Sequence, residues 1–147
     1  MRLSGSPEET AAEAGRLARL AGGGLRLALS GPLGAGKTEF VRGLARELGY
    51  AGEVSSPTYV FIHEYPTPRG LLVHGDLYRL GDPEEIWALG LEEYLAAPWL
   101  AIEWGERLSG LGDHLAVAID FAGDHRRITG RAHGPVSAAL LESWITA

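Results

Sequence analysis

The 147-residue chain has no cysteine, one methionine and one lysine, Lys37. Without cysteine, disulfide frameworks, thiolate catalysis and thiolate-ligated zinc are excluded. No apolar run approaches the ~18–20 residues needed to span a bilayer. Met1–Thr10 also lacks the basic-then-apolar layout of a signal peptide, so a cytoplasmic protein with no membrane association is expected. A basic excess is missing too: 13 basic against 19 acidic residues leave a formal net charge of −6. Duplex-binding domains usually carry surplus cations, because each phosphate contact needs one. Autonomous nucleic-acid binding is therefore not expected. The five histidines show no H-E-x-x-H or other zinc spacing, and there is no G-x-S-x-G nucleophile elbow. No repeat, low-complexity tract or long linker divides the chain, so residues 1–147 are read as one domain.

What is present suits a globular fold, with 46% apolar and 22% charged residues. Ser6-Pro7-Glu8-Glu9 has the chemistry of a helix start: a hydroxyl N-cap, proline at the first position and acids in the first turn. That helix should run to about Ala21 and stop at Gly22-Gly23-Gly24. Leu25–Ser30 reads as a strand, Gly31–Gly36 as a loop, and Lys37–Leu48 as a helix with Phe40, Val41, Leu44, Ala45 and Leu48 at helical spacing. After a loop over Tyr50–Pro57, strands are expected at Thr58–His63 and Leu71–Asp76 around a turn at Pro66–Gly70. Asp82 and Glu85 are placed like a capping box for a helical stretch that breaks near Gly90 and ends before Pro98. Trp99–Glu103 reads as a short buried strand. Leu115–Phe121 and Arg126–Ala132 read as a hairpin, and Val136–Ile145 as a closing helix. This order predicts an α/β three-layer domain with a parallel core and antiparallel additions, a mixed sheet.

Gly31-Pro32-Leu33-Gly34-Ala35-Gly36-Lys37-Thr38 fits G-x-x-x-x-G-K-[ST] in full, with a strand before it and a helix after it. Glycines let such a loop fold back so that its N–H groups face phosphate oxygens, and the following helix adds the positive end of its dipole. Lys37 is the candidate partner of the β and γ phosphates, and Thr38 can hold Mg²⁺ through its hydroxyl. Glu39 stands where a hydroxyl residue is commoner; its carboxylate must turn outward from an α-phosphate. Glu103, an acid after four apolar strand residues, is the candidate for fixing the metal. In His74-Gly75-Asp76-Leu77-Tyr78-Arg79, alternation puts His74, Asp76 and Tyr78 on one face if the strand persists. Asp76 is a candidate to orient the attacking water or to bind the metal's outer shell. Arg79 is a candidate for a phosphate contact or a structural ion pair. Ser55-Ser56-Pro57-Thr58 is either a plain turn or a switch-like loop in which Thr58 senses the γ-phosphate. The apolar stretch from Ile86 to Trp99 reads as core, with a partner-docking surface as the alternative.

Together, Gly31–Thr38, Ser56-Pro57-Thr58-Tyr59, the run from His74 to Leu80, Asp82-Pro83-Glu84-Glu85 and Ile102-Glu103-Trp104 resemble the TsaE (YjeE) family of bacterial tRNA threonylcarbamoyladenosine biosynthesis ATPases. The resemblance implies a P-loop NTPase fold with a mixed sheet. It also implies work with the partners TsaB and TsaD, which install threonylcarbamoyl on the adenosine beside the anticodon. ATP hydrolysis then drives or resets that complex, and tRNA is met only through it. Carried over, Leu33, Gly34, Ala35, Gly36, Lys37 and Thr38 bind the triphosphate, and Thr38 and Glu103 hold Mg²⁺. Asp76 and Lys37 are catalytic, Thr58 belongs to a switch-like loop, and Glu106 and Arg126 reach the nucleotide. The alternatives from other classes are a small-molecule P-loop kinase, with Arg126, Arg127 and Arg131 as its arginine cluster, and a non-hydrolysing nucleotide-gated binding module.

Overall fold

The computed structural model describes residues 1–55 and 61–146. The first helix starts as its sequence dictates. The Ser6 side chain accepts a hydrogen bond from the Glu9 N–H at 3.1 Å, Pro7 opens the helix, and α1 (Pro7–Ala21) ends at Gly22. Before it lies a short strand, β1 (Arg2–Ser4), which three residues are too few to announce. Then follow β2 (Leu25–Ser30), α2 (Lys37–Glu47), β3 (Ile62–Thr67), β4 (Gly70–Asp76), a π-helical turn (Trp87–Leu91), the one-turn α3 (Glu92–Tyr94) and β5 (Trp99–Glu103). A 3₁₀ turn (Gly105–Arg107), β6 (His114–Ala122), β7 (His125–His133) and α4 (Pro135–Thr146) complete the chain.

Among the described residues, seven strands form one sheet in the order β1-β7-β6-β2-β5-β4-β3. β6, β2, β5 and β4 run parallel; β3 pairs antiparallel with β4 on one flank, and on the other β7 pairs antiparallel with β6 and β1 antiparallel with β7. The α/β class with a mixed sheet thus holds. Period-2 alternation sorts the strand side chains into two cores. Leu27, Leu29, Leu72, Trp99, Ala101, Leu115 and Val117 face α1, α2 and α4. Ala28, Val73, Leu100 and Ile102 face the opposite layer, built from Leu77, Leu80, Ile86, Leu91 and Leu111. Phe40 of α2 meets Trp144 of α4 edge-on at 6.2 Å, both fully buried, and ties the helical layer together. The helices α1 and α2 approach so closely that a Cβ on Gly43 would sit 2.0 Å from the Ala11 carbonyl oxygen.

Three expectations need correction. The predicted strand at Thr58–His63 begins outside the described residues; β3 starts at Ile62 and runs on through Pro66 to Thr67, so the turn shrinks to Pro68-Arg69. Pro66 is tolerated because, among the described residues, β3 is the outermost strand and pairs only with β4. The stretch after Asp82 does not open on a capping box. The Asp82 side chain accepts from the Glu84 N–H, while the Glu85 N–H goes to the Asp82 carbonyl, forming a turn; Gly90 at φ 110° interrupts the helical segment where a break was expected. Finally, β4 ends at Asp76, so Tyr78 does not continue the His74–Asp76 face. The segment still packs as core: Ile86 and Leu91 are fully buried. Among the described residues no helix is long and apolar enough to cross a membrane.

Candidate functional site

The site lies at the carboxyl ends of the parallel strands, where open α/β sheets characteristically present their crevice. The loop after β2 turns back at Gly31, whose φ of 136° suits glycine and where a Cβ would lie 2.1 Å from the Ile119 carbonyl oxygen. The Ala35 N–H closes the loop on the Pro32 carbonyl at 3.1 Å. Gly36, which has no side chain with which to cap it, precedes α2, so the helix N–H groups face the cleft. The cleft has a volume of ≈ 380 Å³; Leu33, Gly34, Gly36, Lys37, Thr38, Asp76 and Glu103 contribute to its walls.

Lys37 is 5% exposed. Its Nζ donates to the carbonyls of Gly31 at 2.6 Å and Pro32 at 3.1 Å, and lies 4.1 Å from the centroid of the Trp104 ring. Trp104 is the only non-glycine residue with positive φ (62°) among the described residues, and this turn brings its indole over the ammonium. Burial lowers the Lys37 pKa below its usual value; the carboxylates of Glu103, Glu106 and Asp76 oppose that shift.

Strand register supplies the acids. Glu103 ends β5 opposite Leu29 of β2 on one side and Asp76 of β4 on the other. Alternation points Glu103 toward α2, and the Thr38 hydroxyl donates to its carboxylate at 3.0 Å (Oε2) and 3.2 Å (Oε1). Asp76, 9% exposed, accepts from the Tyr78 N–H at 2.9 Å. His74, fully buried two residues earlier on the same face, places Nε2 2.5 Å from Glu103 Oε2. Sequence reasoning placed His74 on the face of Asp76 and gave it no role; the register of β4 on β5 reveals what it touches.

The remaining candidates divide. Glu39 turns along its helix to pair with Arg42, whose Nε also donates to the Val54 carbonyl at 2.9 Å, so its charge is offset where it lines the cleft. Arg79 lines the cleft mouth with Tyr78. Glu106 is not among the lining residues: it is an exposed side chain of the 3₁₀ turn. Desolvation raises its pKa, with its own backbone and then Lys37 pulling it down. Arg126 is also outside the main cleft. Its guanidinium lies 4.4 Å over Phe121 and faces a smaller recess of ≈ 140 Å³ beside Gly34–Gly36, walled by Ser4, Ser6 and Thr10. Sequence reasoning missed this recess because β1 was missed. Thr58 lies outside the described residues.

The donor set is chemically specific. Thr38, Asp76 and Glu103 offer hard oxygens, of the kind that suit a small divalent cation sharing its ligands with water and an anion. The loop amides and Lys37 beside them suit the anion.

The family model described as threonylcarbamoyl adenosine biosynthesis protein TsaE matches residues 4–129. The chain belongs to the TsaE family. Relatives named tRNA threonylcarbamoyladenosine biosynthesis protein TsaE include one from Bacillus subtilis, 41% identical over 93% of this chain and 88% of the relative. Another, from Streptomyces coelicolor, is 40% identical over 90% and 91%. A third, from Haemophilus influenzae, is 41% identical over 68% of this chain and 65% of the relative. The crystal structure of Bacillus subtilis YdiB superposes with a TM-score of 0.81 at 35% identity, covering 99% of this chain and 93% of that one. TsaE proteins are thus involved in tRNA threonylcarbamoyladenosine biosynthesis, and the matched stretch of this TsaE chain contains the whole cleft from the glycine loop to Glu103.

Proposed function

We propose that this chain binds and hydrolyses Mg-ATP, and that hydrolysis drives or resets a TsaB–TsaD complex that puts threonylcarbamoyl on the tRNA adenosine beside the anticodon. The observation that carries this reading is that, at an open α2 N-terminus, the Thr38 hydroxyl donates to Glu103 at 3.0 Å while the adjoining Lys37 ammonium reaches back to the loop carbonyls of Gly31 and Pro32. Leu33–Thr38 supply the phosphate-binding loop. Lys37 exchanges its loop carbonyls for phosphate oxygens. Thr38 and Glu103 fit magnesium: they are hard donors already within 3.0 Å of each other, and Asp76 adds an acid on the adjoining strand. When bound there, the ion would neutralise charge building on the phosphates. Asp76 accepts a hydrogen bond from the attacking water and orients it. The recess at Ser4, Thr10 and Arg126 is assigned to the base and sugar, which gives Arg126 a binding role that does not require it in the main cleft.

The kinase alternative has less support. Arg126, Arg127 and Arg131 are held in the strand β7, paired to β6 on one side, and not in a lid that closes over an acceptor. The test is turnover with and without partners. The chain alone should hydrolyse ATP slowly; purified TsaB and TsaD should accelerate it and co-elute with it on a sizing column. Unchanged turnover with separate elution overturns the reading. ATP consumption that rises only with a phosphorylatable metabolite favours the kinase instead.

A further inference from the structure

We infer that His74 is a positioning residue: its Nε2–H fixes the rotamer of the Glu103 carboxylate so that this acid is presented to the metal. This rests on the magnesium role proposed for Glu103. The geometry begins with register. His74 pairs with Ala101 and Asp76 with Glu103 across the parallel β4–β5 ladder, so His74 sits two residue pairs behind the site, on the same face toward α2. Its ring is fully buried, and Nε2 is 2.5 Å from Glu103 Oε2. A carboxylate oxygen accepts, so Nε2 carries the hydrogen. Thr38 donates more weakly to both oxygens, at 3.0 and 3.2 Å. Oε2 is therefore the more firmly anchored atom, held from β4 and from α2 together, whereas Oε1 has only the longer Thr38 contact and would be the oxygen presented to a metal.

The ring is itself held. Tyr65 stacks obliquely against it at 6.2 Å, and the Tyr65 hydroxyl is fixed to the Ser55 carbonyl (3.3 Å) and to His63 Nδ1 (3.1 Å). A side chain present only to fill the layer would need no donor here. His74 Nδ1, moreover, is buried with no hydrogen-bond partner among the described residues, a penalty that an apolar residue of the same size would avoid. Ligands fixed by a donor behind them are a recurrent feature of metal sites, and removing such a donor typically costs 10–100-fold in metal affinity or activity.

The test compares His74→Gln with His74→Met. Both side chains are unbranched and similar in size. Glutamine ends in an amide N–H at the same number of bonds from Cβ as Nε2, and methionine has no donor. The readout is metal affinity, from Mn²⁺ titration followed by electron paramagnetic resonance in the presence of ADP, together with calorimetric ADP affinity without metal. The expected result is Mn²⁺ affinity reduced ~10-fold or more in His74→Met and restored to within a few-fold of the parent in His74→Gln. Metal-free ADP affinity should be unchanged in both. Equal losses in the two variants, or none in either, overturn the role of His74. If His74→Met does not fold, His74→Leu takes its place in the same comparison. Failure of the parent chain to bind ADP or Mn²⁺ at all overturns the nucleotide reading itself, a separate outcome.

Discussion

Lys37 is the only lysine, and its ammonium is both buried and shared among two carbonyls and an indole face. Three carboxylates oppose the desolvation that lowers its pKa. Two predictions belong at this scale. The first concerns pH. Binding of a triphosphate needs Lys37 charged, so affinity should fall as pH rises through a value below the 10.5 of a free lysine. In Lys37→Arg that alkaline limb should vanish, because a guanidinium stays protonated; an unchanged limb in the arginine variant would assign it to another group. The second concerns Glu103→Ala. It should lower kcat by ~100-fold or more while changing metal-free nucleotide affinity little, if the carboxylate acts through the metal as proposed. An equal loss in both would show that Glu103 shapes the pocket instead. Individual residues were only partly legible in the sequence. The glycine loop announced Lys37 and Thr38 because eight consecutive residues carry that chemistry. Glu103 was found because an acid after four apolar residues marks a buried strand end. His74 was not, because its partner is set by the pairing of two strands separated by a helical segment, and no local spacing encodes that.

At the level of elements, hydrophobic period and turn chemistry predicted α1, β2, α2, β4, β5, the β6–β7 hairpin and α4 close to their observed bounds. The failures have physical reasons. β1 is too short to show alternation and exists because β7 offers it an edge. β3 outran its prediction because proline ends a strand only where its missing N–H was needed. The stretch after Asp82 opens on a turn in place of the capping box, but its helical part, Trp87–Leu91 and Glu92–Tyr94, breaks at Gly90 as expected and helps to cover the sheet face through Leu91, with Ile86 just before it. Packing between elements gives a stability prediction. Gly43 lies where α2 crosses α1, and any Cβ there meets the Ala11 backbone. Gly43→Ala should therefore destabilise the fold by roughly 1–3 kcal/mol, although alanine is the better helix former. Urea denaturation measures this; a gain in stability would mean the helices separate freely. α4 gives another. Asp113 accepts from the Val136 and Ser137 N–H groups at 2.8 and 3.0 Å and caps the helix from outside it. Hydrogen bonds from Ser137 are the leading cause of its lowered pKa. Because the folded pKa is depressed, this contribution is complete above the unfolded value and is lost as pH falls through the folded one. Asp113→Ala should lower Tm at neutral pH, and the gap to the parent should close at acid pH. A gap independent of pH would point to packing.

In the whole molecule, strand order decides the site. β5 lies between β2 and β4, so one acid stands between the glycine loop and the second acid. The sequence carried the list of strands and their class but not that order. The convergence of Thr38, Asp76 and Glu103 became visible only in three dimensions. The charge of the whole chain carries its own prediction. At a formal net charge of −6 the isolated protein should show no tRNA binding by fluorescence anisotropy at physiological salt. Saturable binding by the chain alone would contradict the view that partners carry the tRNA. The account as a whole depends on one act, capture of a magnesium-bound triphosphate by the loop after β2. The most direct measurement is a calorimetric titration of Mg-ATP into the folded chain and into Lys37→Ala. The account predicts saturable one-site heat for the parent and none for the variant. A parent that gives no heat, or a variant that binds as tightly as the parent, would contradict it.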